Sequence, residues 1–173
     1  LDPPAGDGYA DWRVATTMPS AGAREHGFGA YRACDYAELI DHPVEMGRFT
    51  LASFDVGGAP HEIAITSRHD ADTERLCRDL RRICGAQIRL FDPRRGRAPF
   101  DRYVFQVLVV GNGYGGLEHR SSSSLICSRN ELPHARMREP SEGYRSFLGL
   151  ASHEYFHSWN VKRIRPASFV APD

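Results

Sequence analysis

Two histidines separated by three residues, with a glutamate directly after the first, occupy His153-Glu154-Tyr155-Phe156-His157. On a helix, side chains four residues apart stand one turn above the other on the same face. Both imidazoles can therefore reach one Zn²⁺, with Zn–N distances of about 2.0–2.1 Å. Glu154 sits beside that pair, placed to take a proton from a metal-activated water and to pass it to a leaving amine. This is the chemistry of peptide-bond hydrolysis. With 8 His and 10 Glu in 173 residues, the pattern arises by chance in about 2 of 100 such chains, and its place inside an amphipathic helix lowers that further.

A catalytic zinc takes three protein ligands and keeps one open position, and this spacing supplies two. After His157 the chain has no His, Cys or Glu, only Asp173 at its end. Upstream, Glu118 or His119 could contribute, but nothing in the spacing compels either. The third ligand is therefore expected beyond Asp173. A chain that ended there would hold half a site, and would act as a binding or folding module if it could not hold metal.

The elements that must position these residues follow from the hydrophobic pattern. Residues 12–18 and 31–38 read as strand and turn material. Residues 48–56 alternate as a strand, Gly57-Gly58-Ala59-Pro60 turns, and His61 to Thr66 returns as a second strand. A helix begins at the capping residues Asp70 to Thr73, carries Leu76, Leu80, Ile83 and Cys84 on one face, and is expected to stop at Gly85. Gln87 to Phe91 then reads as a short strand. Tyr103 to Val110 is apolar and β-branched, a central strand, and Ser121 to Ser128 is a further strand after the Gly-rich segment 111–116. Ser141 caps a last helix with apolar Tyr144, Phe147, Leu148, Ala151 and Tyr155, expected to run to about Asn160. This order describes an α+β layer, a mixed β-sheet with packed helices.

Composition narrows the partners. Basic and acidic residues number 22 each, so there is no electrostatic reason to expect nucleic acid. No apolar run is long enough to span a membrane. Cys34, Cys77, Cys84 and Cys127 lack the spacing of a zinc ribbon or redox pair, and Cys77 and Cys84 lie roughly 10 Å apart on one helix, too far for a disulfide. All four are expected as free, buried thiols. Leu1 to Gly8 does not resemble a signal peptide, and the compartment, cytoplasm or periplasm, is not read from it.

The string from His153 through Ser158-Trp159-Asn160-Val161-Lys162-Arg163-Ile164-Arg165-Pro166 closely resembles the active-site helix of the glycyl aminopeptidase family, thermolysin-like (gluzincin) bacterial zinc peptidases that often carry a PDZ domain. Gly115-Gly116-Leu117-Glu118-His119 resembles that family's second recurring segment, and the stretch from Cys34 to Gly47 the end of its N-terminal β domain. The resemblance implies residues 1–47 as the tail of a β domain and residues 48–173 as the N-terminal half of a thermolysin-like catalytic domain. It implies His153 and His157 as zinc ligands, Glu154 as general base, and a glutamate on a later helix as third ligand. By analogy with related aminopeptidases, Glu118 binds the α-amino group of a peptide substrate, and Gly115 and Gly116 let a strand-like substrate approach. Removal of small N-terminal residues, glycine or alanine, is the implied activity, with an endopeptidase of the same group as the alternative. If the helical half were absent, the exposed apolar face would favour self-association.

Overall fold

Residues 1–169 are described by the structure, a computed structural model. In the N-terminal segment, β1 (Arg13–Ala15) pairs antiparallel with β2 (Glu45–Gly47), with a short helix α1 (Tyr36–Ile40) between them. Asp35 caps α1 by accepting a hydrogen bond from the Glu38 N–H at 2.8 Å.

The alternating stretch that follows forms a hairpin, β3 (Phe49–Val56) with β4 (Ala59–Thr66). Gly57 and Gly58 close it at φ of 62° and 77°. Two consecutive positive φ values make the turn whose twist matches its strands, and both positions favour glycine. α2 (Thr73–Phe91) then crosses to β5 (Tyr103–Val110), which lies parallel to β4. β6 (Gly115–Glu118) turns back as an edge strand, and β7 (Ser122–Ser128) inserts between β6 and β5. The sheet order is β3-β4-β5-β7-β6, parallel in its middle and antiparallel at both edges. α3 (Glu142–Phe156) closes the layer, capped by Ser141, whose Oγ accepts from the Tyr144 N–H at 3.1 Å. The fold is α+β: a mixed five-stranded sheet with packed helices.

Two expectations about α2 fail. Gly85 does not stop α2, and residues 87–91 are helix rather than strand. Ile88 extends the row begun by Leu80 and Cys84, four residues further on, and all three are buried. Burying that row outweighs the helix cost of one glycine, roughly 1 kcal/mol. Gly85 is also where the helix meets β3, since a Cβ there would stand 3.2 Å from Val56 Cγ2. The α-helix of residues 142–156, by contrast, is shorter than expected: it ends at Phe156, and turns follow it.

The main core lies between one sheet face and the two long helices, built from Ile63, Ile65, Leu76, Leu80, Phe105, Leu125 and Phe147 among others. On the other face, Ala64 and Val104 pack with Phe49 and with Ala15 of the N-terminal segment. The Gln106 amide nitrogen donates to the carbonyls of Ala15 (2.8 Å) and Pro43 (3.0 Å), tying the segment to the middle of the sheet. β4 is thus covered on both faces, which explains its near-continuous burial. All four cysteines are free, but only Cys84 and Cys127 are buried; Cys34 is exposed.

Candidate metal centre and peptide edge

Helical phase decides which side of α3 does what. Tyr144, Phe147, Ala151 and Tyr155 face the core, which leaves His153 exposed and His157 half-buried on the outer flank, with Glu154 buried between the helix and β6. Three contacts set the height and roll of this turn. Tyr155 Oη donates to Nε2 of the fully buried His61 (2.8 Å), whose Nδ1–H donates to the Ala59 carbonyl at 2.9 Å. The Gln87 amide donates to Ser152, to its carbonyl at 2.8 Å and its Oγ at 2.9 Å, joining α2 to α3 one residue before His153. Trp159 stacks on Phe91, centroids 4.7 Å apart, where the chain leaves the helix.

The two candidate ligands converge. His153 Nε2 and His157 Nε2 lie 3.2 Å apart, close to the roughly 3.4 Å between ligand atoms of a tetrahedral zinc site. His157 Nδ1 stands 2.5 Å from the Asn160 carbonyl oxygen. A carbonyl only accepts, so Nδ1 carries the proton and Nε2 presents its lone pair. A metal-binding imidazole is oriented in just this way by its second nitrogen. The donor set therefore fits a zinc ion.

Glu118 and Glu154 each bring a carboxylate oxygen to within 4.8 Å of one another and of a His157 ring nitrogen. His119 does not join them: its buried ring faces Asp41, with Nδ1 3.6 Å from Oδ1. Burial pushes the Glu154 carboxyl above its ordinary range; the neighbouring histidines work against that shift and Glu118 adds to it.

Gly115 and Gly116 lie within β6, an edge strand, rather than in a turn. A Cβ on Gly116 would stand 2.3 Å from Glu154 Oε1 and 2.5 Å from its Cδ, whereas one on Gly115 would meet nothing within 4 Å. The close approach is thus the property of Gly116 alone, and it is made to Glu154.

Past the helix end, Lys162 and Arg163 anchor the chain. Lys162 Nζ is 2.9 Å from Asp41 Oδ1, and Arg163 donates to the carbonyls of Ser158 (2.6 Å), Arg120 (2.8 Å) and Pro99 (3.0 Å). Burial opposes ionisation of Asp41, but the His119 ring, the Lys162 ammonium and the Arg120 N–H around it hold its carboxyl well below the ordinary range. Sequence patterning carried no signal for Gln87, Asp41 or the role of His61, because each acts through a partner at least 65 residues away.

Residues 146–173 match the family model described as M61 glycyl aminopeptidase, and residues 1–48 match that of the peptidase M61 N-terminal domain. Among solved structures, an aminopeptidase N family protein from Idiomarina loihiensis is similar at a TM-score of 0.86 and 46% identity, over 91% of this chain and 26% of that one. A mutant two-domain M1 zinc metallopeptidase bound to L-arginine is matched at a TM-score of 0.46 and 12% identity, over 90% of this chain and 33% of its own. No curated protein matches. The chain belongs to the M61 glycyl aminopeptidase family and spans about a quarter of the length of the Idiomarina protein.

Proposed function

We propose that the protein is a zinc-dependent aminopeptidase that releases small N-terminal residues, glycine or alanine, from peptides, on a thermolysin-like catalytic domain. The observation that carries this reading is Glu154, buried against Gly116 of the edge strand and flanked by two convergent imidazoles. His153 and His157 would hold the ion, together with a glutamate from beyond residue 173. The ion would supply a polarised water of lowered pKa.

The residues of this chain do the rest. Glu154, whose carboxyl burial raises above its ordinary range, would accept a proton from the attacking water and deliver it to the departing amine. The exposed edge of β6 takes the substrate backbone as an added strand, and Gly116 lets it lie against the Glu154 carboxylate. Glu118 pairs with the substrate ammonium by a charge-assisted hydrogen bond, which selects a free amino terminus.

The test uses the protein at its full natural length with glycine and alanine p-nitroanilides and their N-acetylated forms. Glu154→Gln should lower kcat by about 10²–10⁴-fold, and chelation should abolish turnover until Zn²⁺ is restored. Equal cleavage of N-acetylated substrates would sink the aminopeptidase reading.

One observation favours the endopeptidase alternative: Glu118 lies close enough to Glu154 and His157 to be a metal ligand itself. Glu118→Gln separates the two. As an amine anchor it raises KM for free-amine substrates and leaves bound zinc intact; as a ligand it releases the zinc.

A further inference from the structure

A second group of metal-type donors lies where the N-terminal segment meets β4. Glu25, His26 and Glu62 each offer one ligand atom, all within 4.8 Å of one another, and share no residue with α3. We propose that these three side chains bind a first-row divalent cation, Zn²⁺ or Mn²⁺, which fastens the N-terminal segment to the five-stranded sheet.

The His26 ring is held as a ligand would be. Its Nδ1 lies 3.3 Å from the Val14 carbonyl oxygen, which can only accept, so Nδ1 bears the proton and Nε2 presents a bare lone pair. The His26 backbone is fixed by the same neighbour, since its carbonyl accepts from the Val14 N–H at 2.9 Å. The residue holds φ of +53°, a conformation uncommon outside glycine.

Two carboxylates lie near Nε2 without hydrogen-bonding it. Nε2 is 3.7 Å from Glu62 Oε1 and 4.0 Å from Glu25 Oε1. Those gaps exceed a hydrogen bond, and the shorter lies near the separation of ligand atoms around a shared ion, roughly 3.4 Å for tetrahedral zinc.

Glu62 supplies the independent observation. The residue is only 7% exposed, and its Oε2 is buried with no hydrogen-bond partner. A buried carboxylate oxygen without a partner is costly. Arg102 lies alongside, with Nη1 3.8 Å from Glu62 Oε1. It offsets one of the two negative charges and leaves the group net anionic. A small cleft of about 220 Å³, lined by Glu25, His26, Tyr31 and Arg102 among others, opens beside the group and gives an ion and its completing waters a way in. One imidazole with two carboxylates suits zinc or manganese better than magnesium or calcium, which favour oxygen alone.

The test uses the protein at its full natural length carrying H153A and H157A, so that the helix histidines are silent. Titration with MnCl₂ and ZnCl₂, read as bound metal per chain and as Mn²⁺ spin resonance, should show one equivalent and a raised melting temperature. E25Q and H26A should each weaken that binding by at least ~10-fold. Glu25 has a 78% exposed side chain, so its substitution is not open to misreading as misfolding. In the protein with its helix histidines intact, H26A should lower the bound metal by one equivalent. Absence of stoichiometric metal in the H153A/H157A protein, or binding unaffected by E25Q and H26A, would overturn the proposal and leave Glu62 paired with Arg102 alone.

Discussion

At the scale of single residues, the contact between Gly116 and Glu154 is the most exacting in the site. Any side chain on Gly116 meets the Glu154 carboxylate well inside van der Waals distance. Because Glu154 is only 5% exposed, it has little room to retreat. Gly116→Ala should therefore displace the carboxylate and lower kcat by about 100-fold, the penalty typical of a misplacement near 1 Å, with a stability loss of about 1–3 kcal/mol from the overpacked contact. Gly115→Ala, whose Cβ would enter open space, should cost less. Similar losses for the two variants, measured on a glycine p-nitroanilide, would show that strand flexibility and not this contact matters. The His-Glu-His spacing was readable from sequence, because one helical turn is a local distance. The role of Gly116 was readable only as a general allowance for close approach, because the atom it approaches is 38 residues away.

At the scale of elements, α3 is held to the sheet by Tyr155 and His61. Burial disfavours the charged imidazole and brings the His61 pKa down from 6.5 to about 4. In the unfolded chain the ring takes up its proton first as pH falls. The folded state is therefore unpenalised above pH 6.5 and loses roughly 3 kcal/mol on passing from pH 6.5 to pH 4. His61→Gln, which keeps a polar partner for Tyr155 and does not titrate, should flatten that part of the stability–pH curve; urea unfolding at several pH values checks it. Tyr155→Phe should cost about 1–3 kcal/mol by leaving His61 Nε2 without its donor. The helical course of residues 85–91 belongs to this scale as well. A glycine and a following apolar run are a fair stop signal for an isolated helix, and only the sheet face under Cys84 and Ile88 makes continuing the better choice.

At the scale of the whole molecule, Asp41 joins the N-terminal segment to the chain beyond the helix. Its carboxylate takes the Lys162 ammonium at 2.9 Å and the Arg120 N–H at 3.0 Å, bridging positions 41, 120 and 162. Asp41→Asn should cost about 2 kcal/mol, the range for a hydrogen bond to a charged group, and should raise hydrogen exchange in residues 157–165 more than elsewhere. Since its pKa is lowered, the stability Asp41 contributes is present above its ordinary value of 3.8 and fades as pH falls below it. Equal exchange in the variant and the unaltered protein would remove Asp41 from any role in holding the helix exit.

Sequence alone determined what depends on short separations: the His-Glu-His spacing on one helical turn, the β3–β4 hairpin, the caps at Ser141 and near Thr73, and through longer motifs the family. Side chains one turn apart on a helix, or two apart on a strand, have their relation set by backbone geometry before any tertiary contact forms. Tertiary structure decided the rest. It carried α2 through Gly85, ended α3 at Phe156, set Glu154 against Gly116, and brought Glu62 of β4 to Glu25 and His26. Each of these depends on which surfaces are buried against which, a property of the packed chain that no local pattern encodes. The helix of residues 142–156 thus brought the spacing of His153, Glu154 and His157 with it, and the sheet beneath set Glu154 against the edge strand β6.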